Sequence, residues 1–255
     1  SYYKHLKLTK SADQKHRKLE QKVFETADIT LATSFSDAEN FRKKGANAFC
    51  ITNGFDEDLN LKIRKFDNLK IEDSKFTLSY IGVLEQLRNP EVLWKVLNEL
   101  TSENLDFKND FQLKFVGRID DKILNEIERS ELKTSVNNLG YLSHSEANIE
   151  MANSDLLLIT NFPNESSKGI IPGKIFEYLA TGKQIVSFGP KESDVRKILE
   201  ETKAGKHFSY DDESELKVFL MQKFQEWKSG IAHSQTQNIE QFSRKNLTKK
   251  LTELL

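Results

Sequence analysis

The sequence is poor in the residues and patterns that define several common protein classes. It has one cysteine, Cys50, among 255 residues, so no internal disulfide can form and a reducing compartment is favoured. No Cys/His cluster indicates a structural zinc site. No apolar run approaches the roughly 20 residues needed to span a bilayer, and the first residues lack the pattern of a signal peptide. We therefore expect a cytoplasmic protein.

The charge balance and the glycine pattern argue against further classes. Thirty-eight basic residues nearly balance 39 acidic ones, for a formal net charge of −1, so no overall field attracts nucleic acid or an anionic membrane. Neither G-x-G-x-x-G nor G-x-x-x-x-G-K-[ST] occurs, which argues against a nicotinamide dehydrogenase and a P-loop enzyme. Any affinity for phosphate must therefore be local.

Apolar, β-rich runs alternate with amphipathic helices along most of the chain. This alternation is typical of βα units, so we predict an α/β fold with a Rossmann-like parallel sheet and helices on both faces. Helix starts are marked by capping patterns such as Ser143 followed by Glu146, and we expect Gly205 to end a helix. The predicted strands are residues 29–33, 48–52, 76–81, 111–116, 136–139, 155–160, 184–188 and 207–210.

The segment 171–182 has the features of a short helix that points at a ligand. Pro172 suits a first helical turn, and a glycine ends the segment. Gly173 lets another group approach the backbone, so the free N–H groups of this turn, together with Lys174, form a candidate phosphate site. Glu177, one turn further on, can accept two hydrogen bonds from the diol of a ribose. The alternative is an ordinary helix start with a solvated glutamate.

A second candidate phosphate element follows the third predicted strand. Gly82 begins this loop, and Arg88 supplies a fixed cation for a diphosphate. The alternative is an ordinary βα turn with a surface arginine. Because parallel strands end at one edge of a sheet, we expect Gly82, Gly117, Tyr141 and Pro172 to cluster at that edge of a single sheet.

Two flanking segments fit less well into one compact sheet. Residues 11–27 and 238–254 are both polar and both predicted as helices that lie outside the sheet. We expect them to expose apolar surface for a missing domain or for a second copy of the chain. Their apolar residues include Leu19, Val23, Phe242, Leu247 and Leu251. The charged stretch 60–74 is predicted as a loop or linker.

The order of several short motifs resembles one known family. The motifs are 27–34 (ADITLATS), 51–56 (ITNGFD), 80–82 (YIG) with Arg88, 114–117 (KFVG), 138–142 (NLGYL), 152–155 (ANSD) and 174–180 (KIFEYLA). From about residue 20 to its end, the chain resembles the carboxyl-terminal half of a GT-B-fold glycosyltransferase of the retaining family-4 type. Each motif is weak alone, but their common order favours this family.

The resemblance implies roles for particular residues, with two departures from the family pattern. Glu177 corresponds to the second glutamate of an E-x7-E signature and would bind the ribose of a nucleotide-sugar donor. Gly169 replaces the first glutamate, and Glu165 is the nearest carboxylate for contact with the sugar. The family commonly has Arg after the loop glycine and Lys five residues later, whereas this chain has Val83 and Arg88.

The resemblance also implies the donor site and its chemistry. Arg88 and Lys174 would stabilise the leaving diphosphate, without a metal or a cofactor. The substrate would be a nucleoside diphosphate sugar, whose glycosyl group passes to an acceptor hydroxyl with retention, in polysaccharide or glycoconjugate synthesis. The expected donor-binding residues are Gly82, Arg88, Arg118, Tyr141, Gly173, Lys174 and Glu177.

The same resemblance implies three parts of the chain. Residues 1–45 would be a linker helix and a remnant of the amino-terminal half, 46–235 the nucleotide-sugar-binding domain, and 236–255 a C-terminal helix that packs toward the missing half. That half would supply the acceptor pocket and any peripheral contact with the inner membrane, so the chain alone is expected to be inactive. Two alternatives stay open on fold analogy, a nucleotide-sugar epimerase and a non-catalytic module.

Overall fold

Strands and helices alternate through residues 8–57, 75–231 and 236–254, which the computed structural model describes. The strands are β1 Thr30–Ala32, β2 Ala48–Cys50, β3 Phe76–Ile81, β4 Phe111–Val116, β5 Val136–Asn138, β6 Leu156–Thr160, β7 Gln184–Phe188 and β8 Gly205–Phe208. The helices are α1 Lys10–Thr26, α2 Phe35–Lys43, α3 Glu91–Glu103, α4 Leu105–Asp110, α5 Asp121–Glu128, α6 His144–Ala152, α7 Lys174–Thr181, α8 Asp194–Thr202, α9 Glu213–Lys228 and α10 Arg244–Thr252. The predicted linker at 60–74 lies outside the described residues.

Strands β3 to β8 form one all-parallel sheet in the order β5-β4-β3-β6-β7-β8. Successive side chains of a strand point to opposite faces, and β6 follows this rule. Leu156 and Leu158 join a core with α3, α5 and α9, whereas Leu157 and Ile159 join a second core with α7 and α8. The predicted α/β fold with helices on both faces is confirmed.

The first two strands do not join this sheet, so the prediction of a single sheet is wrong for them. β1 and β2 pair in parallel with each other. Ala48 packs with Phe24 and Ala46 in a small core of their own. Apolar alternation identifies a strand but not the sheet it joins, which is why the sequence did not reveal this separation. The expected division of the chain between residues 45 and 46 stays a prediction.

A buried carboxylate attaches this small unit to the main sheet. Asp194, the first residue of α8, accepts hydrogen bonds from the backbone N–H of Ser36 at 2.8 Å and from its hydroxyl at 2.7 Å. The backbone N–H of Asp194 donates to the carbonyl of Lys168. A fully buried carboxylate is tolerated when its oxygens are satisfied in this way. Asp194 therefore fixes the start of α2 against α8.

Replacement of this carboxylate is expected to destabilise the protein. Asp194→Ala leaves the N–H and hydroxyl of Ser36 without their acceptor, which we expect to lower the free energy of unfolding by about 2 kcal/mol. Urea unfolding measures this change. Asp121→Ala is the matched control, because Asp121 also begins a helix but is exposed. If the two variants lose the same free energy of unfolding, Asp194 does not attach the small unit to the main sheet.

The flanking segments differ from each other in burial. On α1, Leu19 and Val23 are 52% and 53% exposed, which confirms the apolar surface expected there. In the tail, Phe242 and Leu247 are buried, at 3% and 8%, and the expectation that they are exposed is wrong. A 3₁₀ turn, Ile239–Phe242, brings Phe242 into the core that includes α7 and α8.

The tail is held by contacts within this chain. The Phe242 ring lies 5.5 Å from the ring of Phe176 on α7. The backbone N–H of Phe55 donates to the carbonyl of Phe242, and that of Arg244 donates to the carbonyl of Phe55. Ser243 accepts from the N–H of residue 246 and so begins α10 later than the predicted helix. These contacts place the tail against the core of this chain.

Candidate functional site

The order of strands changes direction between β3 and β6. The chain runs outward from β3 through β4 to β5, and then returns to place β6 on the other side of β3. The loops that follow β3 and β6 therefore leave the sheet in opposite directions. In open α/β sheets, ligands bind in the crevice that forms at this switch point, outside the carboxyl ends of the strands.

Glycines bring the loops after β3, β4 and β5 close together. The N–H of Gly82 donates to the carbonyl of Val116 at 2.8 Å, and that of Gly117 donates to Gly140 at 2.6 Å. Gly82 and Gly117 have φ values of +124° and +110°, which favour glycine. A Cβ atom on Gly117 would lie 2.3 Å from the Gly82 carbonyl oxygen. The predicted proximity of Gly82 and Gly117 is confirmed, and Tyr141 directly follows Gly140.

Helix α7 begins on this edge with free backbone donors. The N–H groups of Ile175 and Phe176 donate to Pro172 and Gly173, so Pro172 and Gly173 form the first turn before the regular helix starts at Lys174. The N–H groups of Gly173 and Lys174 donate to no group in the described part of the chain. A Cβ on Gly173 would meet nothing within 4 Å. This helix start is therefore open to an anion.

Lys174 joins this helix start to the Gly82 loop. Its Nζ donates to the carbonyl of Ile81 at 3.0 Å and lies 3.9 Å from the centroid of the Tyr80 ring. A Cβ on Gly82 would lie 3.4 Å from the same Nζ. The predicted location of Gly82 and the α7 start at one edge of the sheet is thus confirmed. Their role in binding a donor stays a prediction.

The environment of the Lys174 ammonium shifts its titration. Desolvation, with repulsion from Arg88 as the second cause, lowers the pKa of Lys174 from 10.5 to about 7, and attraction to Glu177 opposes this change. The side chain as a whole is partly exposed, but its charged end lies against the Tyr80 ring. An anion placed at the helix start would raise the pKa of Lys174 again, because it favours the charged ammonium.

Arg88 is held under the Gly82 loop. Its Nη2 donates to the carbonyl of Val83 at 3.1 Å and to the carboxylate of Glu85 at 3.2 Å. Its guanidinium lies 5.7 Å from the ring of Phe162, in the loop after β6. Its Nε is buried and has no hydrogen-bond partner within the residues that the structure describes. Arg88 therefore stabilises the loop and adds positive charge beneath it.

The other predicted site residues differ in exposure. Tyr141 is 91% exposed and Arg118 is also exposed. Glu177 is partly buried, close enough to influence the titration of Lys174. Glu165 is exposed and lines a groove of about 840 Å³ that α1 and α2 also border. The contact of Glu165 with the sugar stays a prediction.

Gly169, which stands in place of the first glutamate of the family pattern, packs close to the start of α2. A Cβ on Gly169 would lie 3.2 Å from the hydroxyl oxygen of Ser34 and 3.4 Å from Cβ of Ser36. It would also lie 3.7 Å from Oδ1 of Asp37. A side chain at this position would therefore require the Ser34 hydroxyl to move by a few tenths of an ångström.

Sequence reasoning missed Tyr178. Its hydroxyl oxygen accepts a hydrogen bond from the backbone N–H of Ile81 at 3.3 Å. Tyr178 is fully buried on α7. A useful signal was available, because a buried tyrosine needs a partner for its hydroxyl. Tyr178 lies four residues after Lys174 and hence on the same helix face.

The residues that the structure describes hold no group of three or more His, Cys, Asp or Glu side chains arranged to bind a metal. None of their helices is both long and apolar enough to cross a membrane.

This sheet order and this crevice define the Rossmann-like half of the GT-B fold. No protein-family model matches the chain, and no curated protein sequence matches it. Solved structures do match. HepE from Anabaena, in complex with UDP and glucose, has a TM-score of 0.70 and 17% identity, over 98% of this chain and 67% of that chain.

Two further glycosyltransferase structures are also similar. Sucrose-phosphate synthase from Thermosynechococcus elongatus has a TM-score of 0.69 and 16% identity, over 96% of this chain and 62% of that chain. WaaG, a glycosyltransferase involved in lipopolysaccharide biosynthesis, has a TM-score of 0.61 and 14% identity, over 94% of this chain and 67% of that chain. The chain thus spans about two thirds of the length of these structures, and at such identities the likeness shows the fold.

Proposed function

We propose that this chain is the donor-binding half of a GT-B glycosyltransferase that takes a sugar from a nucleoside diphosphate sugar. The observation that carries the proposal is the placement of Lys174 and the free N–H groups of the α7 start beside Gly82 at the switch point. Donors of this kind bind a diphosphate. The structure of HepE with UDP and glucose, which has the same fold, supports the choice of a nucleoside diphosphate.

In this proposal, each part of the site has one role. The diphosphate lies on the N–H groups of Gly173 and Lys174, close to Gly82, and Glu177 accepts hydrogen bonds from the ribose hydroxyls. Negative charge grows on the diphosphate as the glycosidic bond breaks. Lys174 and Arg88 therefore stabilise the transition state more than the bound donor. Tyr141 and Arg118 are exposed at the same edge and face the remainder of the nucleotide.

The finer parts of the proposal follow the family resemblance. The transfer proceeds with retention to an acceptor hydroxyl, as in family-4 enzymes, and serves polysaccharide or glycoconjugate synthesis. The absent half supplies the acceptor pocket, so this chain binds the donor but does not complete the transfer. A non-catalytic module is the second candidate, favoured by Gly169 and Val83 in place of the glutamate and the arginine of the family pattern.

Nucleotide binding tests the proposal directly. Calorimetric titration with UDP, GDP and ADP is expected to give saturable binding to at least one of them. Glu177→Ala removes a charged acceptor, and hydrogen bonds to charged groups contribute about 1.5–3 kcal/mol each. We therefore expect the variant to bind the nucleotide on the order of tenfold to a hundredfold more weakly. Glu91→Ala, which removes an exposed carboxylate from α3, is the control and should bind normally.

A 2′-deoxy nucleotide identifies the partner of Glu177. It lacks one of the two hydroxyls that the carboxylate is proposed to hold. Its affinity should fall for the original chain but hardly change for Glu177→Ala, because both alterations remove the same interaction. Equal discrimination against the deoxy nucleotide by the two proteins would make Glu177 an ordinary helix-surface residue.

A further inference from the structure

The last residue of β3, Ile81, lies where the β3–β6 ladder ends, at the switch point. Pairing between β3 and β6 ends at Tyr80 and Leu158. The N–H of Gly82 points toward β4, where it donates to Val116. Because successive residues of a strand direct their peptide groups to opposite sides, the N–H and C=O of Ile81 point toward β6. The Tyr80–Leu158 pair is closed by the N–H of Ile81, which faces the Leu158 carbonyl, so only the C=O of Ile81 has no strand partner there.

Two side chains of α7 contact Ile81 at this end of the ladder. The Tyr178 hydroxyl accepts from the N–H of Ile81, and the Lys174 ammonium donates to its C=O. The two residues are one helical turn apart, so they contact the N–H and the C=O of the same residue, Ile81, from one face of α7. The next residue is Gly82, which begins the candidate diphosphate loop. The position of that loop relative to the α7 start therefore depends on these two hydrogen bonds.

The two hydrogen bonds to Ile81 differ in how easily they can break. Burial raises the pKa of the Tyr178 hydroxyl far above its ordinary value, so it stays neutral. It also has no solvent to exchange with, because the side chain is fully buried. Lys174 is partly exposed, carries a charge that an anion attracts, and has a long side chain with several rotatable bonds. Lys174 can leave the Ile81 carbonyl, whereas Tyr178 stays in place.

We propose that Tyr178 is a positioning residue for the diphosphate site, an inference that rests on the proposed function. When a diphosphate binds, the Lys174 ammonium turns from the Ile81 carbonyl to the phosphate oxygens. Tyr178 keeps the N–H of Ile81 and so holds Gly82 in register with the α7 start. Tyr178 touches neither the nucleotide nor the sugar. It acts through the backbone of Ile81.

The test compares Tyr178→Phe with the original chain, with UDP and uridine as probes. Phenylalanine keeps the ring and removes only the acceptor. We expect about tenfold weaker binding of UDP and less than about a twofold change for uridine, because the loop contacts the diphosphate and not the nucleoside. Hydrogen exchange of residues 81–88 should become faster in the variant, while exchange of the first half of β3 should not.

A matched variant separates positioning from general stability. Thr202→Val removes another buried hydroxyl, which donates to the Ile198 carbonyl on α8, away from the crevice. This variant should bind UDP and uridine as the original chain does. A parallel loss of UDP and uridine affinity in Tyr178→Phe would show a merely structural role, and unchanged UDP affinity would also overturn the inference. If the original chain binds no nucleoside diphosphate, the proposed function fails, and this inference fails with it.

Discussion

Gly117→Ala is expected to lower the free energy of unfolding by about 3 kcal/mol or more, through overpacking and backbone strain. The new methyl group would lie 2.3 Å from the Gly82 carbonyl oxygen and 2.9 Å from its carbonyl carbon. The substitution would also place an L-residue at a φ of +110°, a conformation that only glycine adopts readily. The contact is between two backbones, so no side-chain rotation relieves it.

Thermal unfolding measures this effect. For a chain of this size, about 1 kcal/mol corresponds to roughly 2–4 °C in Tm, so we expect Tm to fall by roughly 6–12 °C. Gly173→Ala is the control, because that residue has a φ of −54° and open space around its Cβ position. Its Tm should hardly change. A similar Tm for Gly117→Ala and Gly173→Ala would mean that the loops after β3 and β4 separate easily.

The main sheet could be predicted well from sequence because its central strands are buried on both faces. Such strands read as continuous β-rich apolar runs, and the predicted bounds of β3, β4 and β7 agree with the structure. Near β8, the prediction was less accurate. Gly205 was expected to end a helix, but the left-handed residue that ends α8 is Lys203, with a φ of +50°. Gly205 instead begins β8, where a Cβ would lie 2.0 Å from the Ile185 carbonyl oxygen.

The candidate site could be predicted only in part, and the reason is geometric. Gly82, Gly173 and Lys174 were identified because glycines after strands and a free helix start have local sequence signals. Tyr178 was missed because its role depends on where the β3–β6 ladder ends, which is a property of the folded sheet. The two-stranded sheet of β1 and β2 was missed for the same reason. Local pattern predicts an element, whereas its partner depends on tertiary packing.

The pKa of Lys174 has a consequence for stability. Its value in the folded chain, about 7, lies below the ordinary 10.5. Between these two pH values the unfolded chain binds more protons than the folded chain, so the stability contribution of this group rises with pH across that window. Below pH about 7 both states carry the proton, and the folded state bears the unfavourable burial of the charge.

The same pKa predicts a pH dependence of nucleotide binding with the opposite direction. A diphosphate favours the charged form of Lys174, so UDP binding above pH 7 must be accompanied by uptake of a proton. We expect the affinity for UDP to fall by as much as about a hundredfold between pH 7 and pH 9. Phosphate groups with a second pKa near 6 are already ionised between pH 7 and pH 9. The change of UDP affinity with pH in this range therefore reflects titration of the protein. Calorimetry in two buffers with different ionisation enthalpies measures the proton uptake directly.

Lys174→Met tests whether Lys174 causes this pH dependence of UDP binding. The variant keeps an unbranched side chain and removes the ammonium, so we expect UDP affinity at pH 6.5 to fall by about a hundredfold. What affinity remains should hardly vary from pH 7 to pH 9. Lys168→Met is the control, because Lys168 is an exposed lysine in the preceding loop, and it should keep the pH dependence of the original chain. If Lys174→Met retains that dependence, a different group titrates near pH 7, and the ammonium at the start of α7 does not hold the diphosphate.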